Sequence, residues 1–152
     1  MLRIGTSWDQ HNLIPGTGFK IGGQLLLGMK NIEAYSDGDV VFHSVGEAII
    51  GALNLGDLGD HFNEKNQKPN FNSKIILEWC REKLIELSAT INNIDILIIL
   101  DTPNLKKYKE EIKNAIAQHL KIDVSQINVK ATTSENNMQN IIQCLSSVLV
   151  EK

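Results

Sequence analysis

Ile94-Asp95-Ile96-Leu97-Ile98-Ile99-Leu100 is the stretch on which the fold turns. Its nearly continuous apolar run fits a buried strand. It is far short of the roughly 20 apolar residues that span a bilayer. Downstream, Leu105–Leu120, entered after Pro103, reads as a helix, and Gln126–Thr133 as another strand. Upstream, Ser73–Leu87 reads as a helix capped by Asn72 or Ser73. Between Asp39 and Leu55 the residues Val40, Val41, Val45, Ala48, Ile49, Ala52 and Leu53 recur at three- and four-residue steps. That is an amphipathic helix, with cap-type residues in Ser36-Asp37-Gly38-Asp39 before it. Leu2–Trp8 reads as an opening strand, and Phe19–Leu27, interrupted by Gly22 and Gly23, as a bent strand or hairpin. Asp57–Asn72 is polar, contains Pro69 and reads as a surface loop, while Ile141–Val150 fits either strand or helix. Strands alternating with helices predict an α/β or α+β fold, a mixed sheet with helices on one face, formed by a single domain over residues 1–152.

The composition sets limits on partners. The chain has 152 residues, with 15 basic against 18 acidic side chains and a net charge of −3. Such a balance argues against a nucleic-acid partner, which requires clustered Lys and Arg. Aromatics make up only 5%, too few for base-stacking platforms. A small anionic ligand stays open, because local amides or metals can hold it. Two cysteines, Cys80 and Cys144, are too few for a disulfide framework. The opening Met1-Leu2-Arg3-Ile4-Gly5 has no apolar signal core. With no membrane span, a cytoplasmic location is expected, a reading that a processed organelle protein would share.

Three segments could carry chemistry. Asp9 and His11 stand two apart at the end of the first predicted strand, so both side chains fall on one face. A carboxylate and an imidazole converging on a point suit zinc, and His43, one turn into the Asp39 helix, is the best third ligand. The bland alternative is a turn-capping Asp beside ordinary histidines. Ser36-Asp37-Gly38-Asp39-Val40 opens the same helix, where free amides suit phosphate, although two carboxylates there would repel an anion unless a cation intervened. Lys130-Ala131-Thr132-Thr133-Ser134-Glu135 brings a cation, three hydroxyls and a carboxylate to a strand end. This segment could bind phosphate, with Glu135 holding a divalent ion, or could be simply a Thr-rich strand end.

Taken in order, these residues resemble the 2-C-methyl-D-erythritol 2,4-cyclodiphosphate synthase family. The likeness rests on Arg3-Ile4-Gly5, Asp9-Gln10-His11, Ile21-Gly22-Gly23, Ser36-Asp37-Gly38-Asp39-Val40 with His43, Gly51-Ala52, Leu55-Gly56-Asp57-Leu58-Gly59 with Phe62, Pro103, and Val129-Lys130-Ala131-Thr132-Thr133. The resemblance implies a homotrimer with sheets around the three-fold axis and active sites between subunits. It implies that the 2-phosphate of 4-diphosphocytidyl-2-C-methyl-D-erythritol 2-phosphate attacks the β-phosphate, closing a cyclic diphosphate and expelling CMP. By position, Asp9, His11 and His43 would bind zinc and Glu135 magnesium or manganese. Thr132 and Thr133, with the Leu100–Leu105 turn, would form the nucleotide side, Lys130 would help bind the substrate, and Ser36, Asp57 and Gly59 would line the erythritol phosphate pocket. The chain departs from the family at Tyr35, where His is usual, at Asn104, where Lys is usual, and in lacking a Gly-rich segment after the Thr-Thr motif. Since that segment lines the trimer's central cavity, the isoprenoid-phosphate binding associated with it is not carried over. A zinc-binding trimer acting as a scaffold and a metal-dependent phosphohydrolase are the rival readings.

Overall fold

A computed structural model describes residues 1–152. A five-stranded sheet has the order β4-β1-β7-β5-β6. Its members are β1 (Leu2–Pro15), β4 (Lys30–Glu33), β5 (Thr90–Ile99), β6 (Ile127–Thr132) and β7 (Ile141–Glu151). Only β5 and β6 run parallel; β7 pairs antiparallel with β1 on one side and β5 on the other. A separate hairpin joins β2 (Gly18–Ile21) to β3 (Gln24–Leu27). Its turn is Gly22-Gly23, with φ of 54° and 75°, the left-handed pair that a tight two-residue hairpin requires. The helices are α1 (Val40–Ala52), α2 (Leu58–His61), α3 (Lys74–Glu86) and α4 (Lys109–Leu120), the last preceded by a 3-10 turn over Lys106–Tyr108. None is long and apolar enough to cross a membrane.

The helices cover one sheet face. Every second residue of the strands points under them: Gly5, Val148, Ile94 and Ile127 share one cross-strand row, and Ser7, Ser146, Ile96 and Val129 the next. Most of these are buried in one continuous apolar core with Val45, Ile49, Ile76 and Ile116 from the helices. α1 lies closest to the sheet, against β1 and β7. Gly5 makes that approach possible, because a Cβ there would stand 1.8 Å from the Ala48 carbonyl oxygen. The other face carries the alternate rows, Ile4 beside Leu149, and Trp8 beside Leu145 and Leu97. No helix covers it, and Leu2, Ile4 and Trp8 are 60%, 72% and 56% exposed.

The predicted mixed sheet with helices on one face is what forms. Several boundaries differ from expectation. β1 runs to Pro15 rather than ending at Trp8, because its polar second half pairs with β7 and β4. β4, a short polar edge strand, has no apolar pattern to announce it. The expected loop at 57–72 contains α2, fastened by a capping box between Asp57 and Asp60. Ile141–Val150, undecided by pattern, lies in the strand β7, which fills the gap between β1 and β5.

Candidate active site

Asp9 and His11 lie on the helix-covered face of β1, opposite Cys144 and Ile142 of β7. Asp9 Oδ2 and His11 Nε2 are 3.4 Å apart. Both atoms are buried, and neither has a hydrogen-bond partner. Leaving two such groups unsatisfied is costly unless an ion or ligand takes them up. α1 brings His43 toward them, its ring 6.4 Å from that of His11, edge to face. The helix is started by Asp39, whose carboxylate accepts from the amides of Gly22 (2.8 Å), Gly23 (2.7 Å) and Phe42 (3.1 Å). One buried side chain thus caps α1 and ties the hairpin to it. Burial lowers the pKa of His43, partly opposed by the nearby Asp9 carboxylate. The neutral ring is the form that binds metal.

The donor set of one carboxylate and two imidazoles matches a zinc site with an open fourth position, and the orphaned Asp9 and His11 atoms fit that use. No three His, Cys, Asp or Glu side chains are already gathered closely enough to hold an ion. Glu47, one turn beyond His43 on α1, was not singled out by sequence. Burial raises its pKa, and the carboxylates of Asp57 and Asp9 raise it further against an opposing Leu58 amide. These acidic groups make the neighbourhood favourable to a cation. The remaining histidines are engaged elsewhere: His61 Nε2 bonds the Leu55 carbonyl oxygen at 2.7 Å, and His119 pairs with Glu78.

A pocket of about 250 Å³ opens beside this cluster, lined by His11, His43, Tyr35, Ser36, Gly59 and Phe71 among others. Ser36 is buried and its hydroxyl accepts from the Gly38 amide at 3.0 Å. Asp57 is used as the N-cap of α2, accepting from the Asp60 amide at 3.1 Å, and is not among the lining residues. Tyr35 donates to the Gln67 carbonyl oxygen at 3.0 Å.

A second cleft, about 280 Å³, lies at the carboxyl ends of the parallel pair β5 and β6. In open sheets this is where ligands commonly sit. Leu100, Asp101, Asn104, Leu105, Thr132 and Thr133 line it, as the sequence suggests, but Lys106 and Lys109 do as well. Those two cations were missed; the signal was their place just after the Pro103 turn, on the 3-10 turn and the first residue of α4. Asp101 accepts from the Ser134 amide at 2.6 Å and from its hydroxyl, fixing the loop that follows β6. Glu135 is exposed and held only loosely, its carboxylate 3.5 Å from the Thr133 hydroxyl that donates to it. Lys130 does not line the cleft; its ammonium donates to Asp95 at 2.5 Å, on the open side of the sheet.

The two sites are separate within one chain. Asp9 lies in the same cross-strand row as Ala131, three strand spacings away, about 14 Å.

A family model described as the YgbB family matches residues 2–151. A 2-C-methyl-D-erythritol 2,4-cyclodiphosphate synthase of Fusobacterium nucleatum is 41% identical over 137 residues, covering 89% of this chain and 85% of the relative. The enzyme of that name from Francisella tularensis subsp. novicida is 42% identical over 135 residues, covering 88% of this chain and 85% of the relative. A bifunctional enzyme IspD/IspF of Pelagibacter ubique is 38% identical over 136 residues; the match takes in 89% of this chain but only 37% of that longer relative. Among solved structures, the bifunctional IspDF of Campylobacter jejuni superposes with a TM-score of 0.92 at 32% identity, over 99% of this chain and 42% of that one. The IspF of Plasmodium falciparum in complex with CDP superposes at 0.86 with 30% identity, over 98% of this chain and 95% of that one.

Proposed function

The chain belongs to the YgbB family, and from that membership we propose that it forms 2-C-methyl-D-erythritol 2,4-cyclodiphosphate in isoprenoid biosynthesis. The substrate of this reading is 4-diphosphocytidyl-2-C-methyl-D-erythritol 2-phosphate. An oxygen of the 2-phosphate attacks the β-phosphorus, the bond from that phosphorus to the bridging oxygen breaks, and CMP departs with the bridging oxygen and the electron pair. The observation that carries the reading is the pair of buried, unsatisfied atoms on Asp9 and His11 facing His43, beside a pocket lined by Ser36 and Gly59.

Asp9, His11 and His43 would hold zinc. When bound, the zinc would supply Lewis acidity to the substrate's phosphates, and a magnesium or manganese ion held at Glu135 would offset further charge. The chain's own part is positioning. Ser36 and Gly59 border the space for the erythritol phosphate, with Asp57 setting the α2 turn that carries Gly59. Lys106 and Lys109 present charge to a diphosphate, while Thr132, Thr133, Leu100 and Leu105 shape the nucleotide end. Because nucleophile and electrophile belong to one bound molecule, orientation supplies a large share of the acceleration.

A homotrimer is part of the proposal. The 14 Å between the two sites and the uncovered apolar sheet face both favour a neighbouring subunit that brings its nucleotide cleft to this chain's Asp9–His11–His43 cluster.

Incubation of the protein with the diphosphocytidyl substrate, zinc and magnesium is expected to release CMP together with a cyclic diphosphate seen by phosphorus NMR. His11→Ala and His43→Ala should each lower the rate by more than about 100-fold, beyond the loss typical for a residue outside the ligand set. Linear phosphate products would indicate a phosphohydrolase. Zinc binding without turnover would indicate a scaffold, a reading to which Tyr35, already engaged with Gln67, lends some support.

A further inference from the structure

Ser73 stands immediately before α3, where a serine normally caps the helix with its side chain. Here it does not: its backbone is helical (φ −63°, ψ −11°) and its hydroxyl makes no cap bond. Asn72 does that work instead, its side-chain oxygen accepting from the Lys74 amide at 3.0 Å. The Ser73 hydroxyl is fully buried and lies between two other side chains. It donates to Asp37 Oδ1, and it lies 2.8 Å from His43 Nε2.

The direction of the second bond follows from the first. Asp37 Oδ1 also faces the Asp39 amide at 3.2 Å, and Oδ2 faces the Ser73 amide at 3.1 Å and the Lys20 ammonium at 3.5 Å. All are donors, so the carboxylate is the acceptor throughout. A hydroxyl has one hydrogen, and Ser73 spends it on Asp37. The Ser73 oxygen therefore accepts from His43, so Nε2 carries the ring hydrogen. Nδ1, which forms no hydrogen bond within the chain, is left with its lone pair.

We infer that Asp37 and Ser73 are positioning residues that set the tautomer of His43, presenting Nδ1 as the metal-binding nitrogen. Partners of this kind fix ligand orientation and typically change metal affinity by about 10- to 100-fold. This function explains why a buried serine at a helix start gives up its capping role, and why Asp37 of the Ser36–Asp39 segment points to α3 rather than into the pocket. The inference rests on His43 being a metal ligand.

Two measurements on the full-length protein test it. In zinc-loaded protein with nitrogen-15 histidine, long-range proton–nitrogen correlation is expected to find the His43 hydrogen on Nε2 and a metal-shifted Nδ1. Hydrogen on Nδ1 with zinc on Nε2 would overturn the assignment without any variant. Zinc competition against a chromophoric chelator should give Ser73→Ala an affinity about 10- to 100-fold weaker than the parent, with Ser73→Thr, which keeps the hydroxyl, within about threefold. His43→Ala separates the two layers of the argument. If it retains full zinc affinity, the metal-site reading fails. If it loses zinc while Ser73→Ala binds unchanged, the relay alone is wrong.

Discussion

Asp39 ties the β2–β3 hairpin to the start of α1 from a fully buried position. Burial pushes its carboxyl up to about 6, against the amide bonds from Gly23, Phe42 and Gly22 that favour the anion. The folded state thus holds this proton to a higher pH than the unfolded chain, whose carboxyl titrates near 3.8. Its contribution to stability is fullest below that value and is lost as pH rises through 6. Asp39→Asn should remove this dependence, and should also cost roughly 1–3 kcal/mol by setting an amide NH2 against buried N–H donors. Urea unfolding of both proteins between pH 4 and pH 7 would check it: the gap in their stabilities should narrow as pH rises, and a constant gap would contradict the assignment. At this scale the sequence was partly readable. Asp9 and His11 are recognisable because a period of two needs no tertiary information. Ser73 was not: it lies 30 residues from His43, and its position before a helix suggests a cap.

Among the elements, the contact between β1 and α1 matters most for the site, since one carries Asp9 and His11 and the other His43. Gly5 sets that distance. A methyl group there would strike the Ala48 carbonyl, part of the backbone and unable to swing aside. Gly5→Ala is therefore expected to destabilise the protein by about 3 kcal/mol or more, at the upper end for overpacking, and to weaken zinc binding by forcing the two elements apart. Gly51→Ala is the matched control, because a Cβ at that exposed position in α1 meets nothing within 4 Å. It should gain up to about 1 kcal/mol in helix propensity. Denaturant midpoints for the two variants, moving in opposite directions, would bear this out. The three long helices α1, α3 and α4 were legible because three- to four-residue periodicity is local, whereas the single turn of α2 is too short to show it. β4 and the second half of β1 were not, because their polar residues earn a place in the sheet only by pairing.

For the whole molecule, the uncovered sheet face is the feature that an isolated chain leaves unexplained. Trp8, Leu97 and Leu145 lie in one cross-strand row on it, with Ile4 and Leu149 nearby. Contiguous exposed apolar surface of this kind marks an interaction site. Trp8→Asp combined with Leu97→Asp should convert a trimer to monomers in light scattering. Those monomers should keep the Asp9–His11–His43 zinc while losing CMP formation, because the nucleotide cleft of a neighbour is gone. Turnover by a monomer would show that one chain suffices.

The sequence by itself determined the alternation of strands and helices, the capped start of α1 and the placing of Asp9 and His11 on one strand face, since each depends on spacing over a few residues; His43, 32 residues beyond His11, comes near them only through the packing of α1 on β1. The tertiary structure alone decided the insertion of β7 between β1 and β5, the cationic cleft with Lys106 and Lys109, and the link from Asp37 through Ser73 to His43. Those depend on groups distant along the chain meeting in a buried interior, where each polar atom must find a partner. No local pattern encodes which partner it finds.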